Sequence, residues 1–207
     1  MALNAQFVIS NNSNITITVP SLPEKDNEIF IPTETLHQLD IGKAVYENKK
    51  YSILLLQDVI KGILYPYYLI LERVLTQTFT LPDRVNIGDI GYYLNMYREY
   101  RTHDLEVLDQ FRLWCSKQHV QTLLYNANNS IYLEIVPLYP WHLAIPETDD
   151  EYEPFDAFMQ RYAPYVVTEV PREKVIIWRD TCYNLLKDII GKSEIPSQQE
   201  IITNPDL

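Results

Sequence analysis

The sequence predicts an α+β fold, a mainly antiparallel sheet with about three substantial helices packed on it. Two observations carry this reading. Stretches of alternating apolar and polar residues flank polar turn clusters, the pattern of hairpins whose strands are covered on one face. Helical and strand patterns also come in blocks rather than in strict alternation, which argues against a doubly wound parallel sheet.

The elements follow in chain order. Residues 7–9 and 15–19 flank the polar cluster 10–14, and Ile15, Ile17 and Val19 alternate with threonines, so an opening hairpin is expected. Residues 20–27 read as a polar loop with two prolines, 28–31 as a short strand, and 33–39 as a helical turn ended by Gly42. Residues 43–46 and 51–56 bracket a second hairpin turn. The stretch 68–81 alternates well enough to predict one long strand with Pro66 at its edge. A helix over 69–75 is the alternative.

After Pro82-Asp83, the spacing of Ile87, Ile90, Leu94 and Tyr97 predicts a helix ending near Arg101. A second helix is expected from His103, capped by Thr102, with Leu105, Leu108, Phe111, Trp114 and Cys115 as its buried stripe. Residues 120–126 and 131–137 then form a hairpin across Ala127-Asn128-Asn129-Ser130. On its second strand Ile131, Leu133 and Ile135 share one face, and Tyr132 and Glu134 the other. A short helix is expected over 154–162 and a strand over 165–170. The last helix starts at Pro171 and stops before Gly191, with Val175, Trp178, Cys182, Leu185, Leu186 and Ile189 on one face. Residues 1–191 read as one domain and 192–207 as a polar, mobile tail.

Composition narrows the function classes. The net charge is −11, so the chain repels phosphate backbones, and direct nucleic-acid binding would need a local basic patch. The nearest bases, Arg98, Arg101 and Arg112, are interleaved with Glu99, Asp104, Glu106 and Asp109, and no patch is evident. The longest uncharged run is too short for a bilayer span, and the first residues lack a signal-peptide pattern. Cys115 and Cys182 lack metal spacing and read as buried thiols of a reducing compartment, so the expected location is cytoplasmic and the sequons at Asn11, Asn14 and Asn128 are expected to be unused.

The stretch 118–160 contains seven acids and no Lys or Arg. Glu134 lies in the hairpin; Glu147, Asp149, Asp150, Glu151, Glu153 and Asp156 follow an aromatic and proline corner, Leu138 to His142. The layout suggests a strand pair feeding a charged loop beside large rings, with Tyr139, Trp141 and Tyr152 as aromatic anchors among the acids. At a strand exit beside Tyr139 and two prolines, Trp141 is expected first as a plug at the end of the core, and as an anchor only where it is exposed.

Catalytic patterns are sparse. Gly88 and Gly91 lack the following glycine or lysine of a phosphate loop and mark the start of a helix. Cys115 and His119 would share a helix face, but the cysteine belongs to the buried stripe. The acids lack the glycine and spacing of an EF-hand, and His142 has no second histidine close by for zinc, so no cofactor is expected. The expected function is a non-catalytic acidic protein of immunity or inhibitor type, masking a basic surface on a protein partner. The alternatives are an enzyme with a scattered site, drawing on Asp149, Asp150 or Glu134 with His142, and an assembly subunit. A deep cavity with convergent polar groups would favour the enzyme.

Overall fold

The computed structural model describes residues 3–10, 13–19, 24–25, 28–29, 42–46, 49–52, 60–115, 119–142, 152–190, 195 and 197. The fold is α+β, as the blocks of the sequence predict. The chain divides into two compact units, one of residues 1–77, 116–118 and 170–207, the other of 78–115 and 119–169. The stretch 1–191 read as one domain spans both.

The first unit holds the opening hairpin, β1 (Leu3–Ser10) and β2 (Ser13–Val19), extended by β5 (Gly42–Tyr46) and β6 (Lys49–Ser52) in the order β1-β2-β5-β6. Each adjacent pair is antiparallel. A two-residue pair, β3 (Glu24–Lys25) and β4 (Glu28–Ile29), occupies part of what reads in sequence as a polar loop and short strand. The expected turn at 33–39, the strand residues 53–56 and nearly all of 192–207 lie outside the described residues.

The expected long strand over 68–81 is overturned. Residues Ile60–Thr76 form helix α1, with Pro66 inside it. Alternation and helical spacing coincide over this stretch, and packing decides between them. Leu64, Tyr67, Tyr68, Leu71, Val74 and Leu75 are all buried at spacings of three and four, whereas Pro66 is exposed. The partner is the last helix, Arg172–Ile190, in which Val175, Trp178, Cys182, Leu185 and Leu186 are buried as the spacing predicts. Tyr68 donates to Glu72 Oε1 at 3.3 Å and Arg179 to the same oxygen at 2.8 Å, so the buried Glu72 is paired.

The second unit is built on a four-stranded sheet in the order β10-β9-β8-β7, with β7 Arg112–Cys115, β8 Val120–Ala127, β9 Ser130–Pro137 and β10 Val166–Val170. β8 and β9 form the predicted hairpin, in register from Val120 opposite Pro137 to Ala127 opposite Ser130. Asn128 and Asn129 have φ of 52° and 65°, the paired left-handed geometry of the tight turn that suits twisted strands. Every residue of β8 is buried, so the sheet is covered on both faces. Helix α2 (Ile90–Tyr100) contributes Ile90 and Leu94 to the cover, and α3 (Phe155–Gln160) contributes Phe155 and Phe158 to a smaller cluster.

The second expected helix is also corrected. Residues His103–Phe111 form a 3-10 helix, and Arg112–Cys115 turn into strand β7. Leu105, Leu108 and Phe111 are buried, but their strict three-residue spacing is the period of a 3-10 helix rather than an α-helix. The Thr102 side chain makes no cap hydrogen bond. With Cys115 in a strand, its expected helical relation to His119 disappears.

Candidate functional site

The aromatic corner after β9 is held from beneath by one buried amide. Asn95 of α2 donates from Nδ2 to the carbonyls of Gly91 (2.9 Å) and Pro137 (3.1 Å), and its Oδ1 accepts the Tyr139 N–H at 2.8 Å. Tyr139 is therefore pinned, 3% exposed, with its ring edge-on to those of Phe155 (5.1 Å) and Trp141 (5.6 Å). Its hydroxyl donates to the Glu153 carbonyl at 2.8 Å, and burial pushes its pKa up to about 12. Tyr139 plugs the corner, and Trp141 is half-buried against Tyr152, ring centroids 5.7 Å apart.

The sequence-predicted acids divide. Glu153 is bonded by Arg161, Nε to Oε1 at 2.7 Å, and this partner holds its carboxyl below the usual range. Asp156 is exposed and accepts from the Tyr100 hydroxyl at 3.4 Å. Tyr152 is 36% exposed. Glu147, Asp149, Asp150 and Glu151 lie outside the described residues. Among the described residues, no group of three or more His, Cys, Asp or Glu side chains is placed to hold a metal ion.

Glu134 is a structural acid. It is completely buried, and its carboxylate accepts from the Gly88 N–H at 2.9 Å, the Gly91 N–H at 3.3 Å and the Tyr125 hydroxyl at 2.6 Å. It occupies the positive end of α2, where a bound anion would be favoured. Burial raises its pKa, and these hydrogen bonds pull it back. Gly88, at φ 94°, supplies the left-handed turn, and a Cβ on Gly91 would strike Tyr162 and Val136.

The feature the sequence concealed is a cavity of about 490 Å³ lined by Tyr97, Arg98, Arg101, Asp109, Arg112 and His119, with Leu138 to Pro140 and His142 completing the wall. Three of the bases that are interleaved with acids in sequence share this lining. Arg98 and Arg112 grip opposite oxygens of Asp109, at 3.2 and 3.0 Å, so one carboxylate holds two guanidinium groups side by side. The side chain of Arg98 is only 14% exposed. Arg101 is the left-handed cap of α2, φ 53°, and has no ion-pair partner among the described residues. Three cations thus face one anion in the lining, a net excess of positive charge in a chain that is strongly negative.

His142 closes one side. Its Nδ1 is 3.1 Å from Glu99 Oε2 and its Nε2 3.3 Å from Asn95 Oδ1. Burial lowers its pKa, Glu99 opposes this, and Arg98 and Arg101 add to the lowering. A larger cavity, about 710 Å³, lies at the turn end of the β8–β9 hairpin, lined by residues such as Thr78, Asn86 and Asn129 and by no charged side chain, so it offers less chemistry. The chain matches no family model, no characterised protein and no solved structure, and the site rests on its own chemistry.

Proposed function

We propose that the protein is a binding protein that takes an anionic group of a small ligand into the cavity lined by Arg98, Arg101 and Arg112. The observation that carries this is the sharing of one lining by three arginines, two of them paired to the single carboxylate of Asp109. The partly buried guanidinium groups of Arg98 and Arg112 lose hydration, and an anion that accepts their free N–H groups replaces it, with the exposed Arg101 adding charge beside them. Leu138, Tyr139 and Pro140 supply an apolar side against which the rest of such a ligand would pack. Binding is favoured over turnover because Glu134, an acid of the enzyme alternative, is consumed in holding α2.

Calorimetric titration with sulfate, phosphate and citrate tests the proposal. Wild type is expected to bind at least one of the three. Arg101→Gly keeps the left-handed cap conformation while removing the charge, and is expected to weaken binding about tenfold, the worth of one charge-assisted hydrogen bond. Arg112→Gln is expected to do the same. Wild-type protein that binds none of these anions at millimolar concentration would sink the reading.

A second reading is kept by the exposed Tyr152 beside Trp141 and by the exposed Asp156 on α3. Aromatic anchors next to negative charge suit a basic protein partner, in the manner of an inhibitor that masks a basic surface.

A further inference from the structure

We infer that the cavity takes up a proton together with its anion, and that the proton is held by the His142–Glu99 pair. This rests on the anion-binding reading above and assigns it a regulation by pH.

The argument starts from Asn95, whose orientation is fixed by its neighbours. Its Nδ2 serves two backbone carbonyls and its Oδ1 already accepts a backbone N–H, so the atom facing His142 Nε2 is an acceptor. The atom facing Nδ1 is a carboxylate oxygen of Glu99, a second acceptor. Both ring nitrogens therefore need a hydrogen. A neutral imidazole carries one, which leaves a nitrogen lone pair against an oxygen lone pair at one of the two contacts. An imidazolium beside ionised Glu99 satisfies both contacts. So does a neutral ring beside protonated Glu99. Either way the pair holds one proton more than neutral histidine with ionised glutamate.

The surrounding charges decide when that proton is present. Burial opposes it most; from α2 and its cap, Glu99 favours it while Arg98 and Arg101 oppose it. Tyr139 and Phe155 contribute ring faces, at 5.1 and 5.9 Å, and Tyr139 keeps its proton near neutral pH. Tyr97 of α2, Asp109 and Arg112 from the 3-10 helix and β7, and His119 before β8 complete the titratable and charged lining. Without an anion the balance holds the His142 pKa below its ordinary value. An anion seated against Arg98 and Arg101 cancels their repulsion. Burial still opposes the proton, but the attraction of Glu99 and the two acceptors aimed at the ring no longer compete with the arginines, so the proton is held more tightly. By linkage the anion must then bind more tightly as pH falls, by about tenfold for each unit by which the His142 pKa rises on binding.

The test is an NMR titration of the histidine rings of wild-type protein with and without saturating sulfate, over roughly pH 5 to 8 where sulfate keeps its charge. Each ring reports separately, so His119 is distinguished from His142. The His142 pKa is expected to rise by about one unit with sulfate, and sulfate affinity measured by calorimetry to increase about tenfold from the high to the low end of that range. Glu99→Gln offers an amide that can turn its N–H₂ toward Nδ1, which satisfies a neutral ring, and is expected to flatten the pH dependence while sulfate still binds. Sulfate binding with an unchanged His142 pKa would overturn the proton linkage and leave the anion site standing. No binding of sulfate, phosphate or citrate at any pH would overturn both.

Discussion

Glu134 shows how one residue can be legible in type and hidden in role. In sequence it is an acid on a strand, one of seven in a stretch without bases. In the structure it is the internal anion of a helix N-terminus, with two backbone N–H groups directed at separate oxygens. Gly88 and Gly91 announce the start of that helix, but nothing local says that the anion comes from a strand more than forty residues later. Glu134→Gln keeps the shape and leaves one N–H facing an amide N–H₂, so it is expected to cost about 1–3 kcal/mol in urea denaturation at neutral pH. The pH dependence has a definite sign. With its folded pKa raised by burial, the stability Glu134 contributes is fully present below the unfolded carboxylate value and is lost as pH rises through the folded one. The glutamine variant is expected to lack that decline. The arginine site was hidden for a related reason. Arg98, Asp109 and Arg112 alternate in sign along the chain and read as solvated charges until the 3-10 turn brings them onto one wall.

At the scale of elements, the sequence is most readable where one local rule acts alone. The Asn128-Asn129 turn, the register it sets and the last helix between Pro171 and Gly191 follow from turn and cap chemistry. It is least readable where two periods fit the same residues. Alternation over 68–81 and the β-branched residues of 76–80 suggest a strand, and packing against the last helix selects α1. Pro66, which the strand reading places at an edge, sits exposed within α1 and removes one helical hydrogen bond. Pro66→Ala is therefore expected to stabilise the first unit by up to about 3 kcal/mol, read as a higher urea midpoint. Destabilisation by this change would mean that the proline fixes a bend on which the α1 packing depends. In the 3-10 segment the strict three-residue spacing of Leu105, Leu108 and Phe111 was the available signal, and α-helical periodicity was the wrong template for it.

For the whole molecule, the net charge of −11 and the cationic cavity act over different distances. The arginine contacts work within hydrogen-bond reach, whereas the field of the chain acts out to the Debye length, about 10 Å at 0.1 M salt. A free anion is repelled at long range and held at short range; a basic protein is attracted at long range wherever it finally docks. One variant separates these effects. Asp149→Asn, Asp150→Asn and Glu151→Gln together take the net charge from −11 to −8 while leaving the Glu153–Arg161 pair and the arginine wall untouched. Sulfate is expected to bind this variant more tightly than wild type at low ionic strength, with the difference vanishing as added sodium chloride screens the field. Capture of a basic protein by the aromatic and acidic corner is expected to shift the opposite way, weaker in the variant and weaker with salt. Equal sulfate affinity in the two proteins at low salt would mean that short-range contacts alone govern the cavity. A basic partner captured equally by both would place its interface away from residues 149–151.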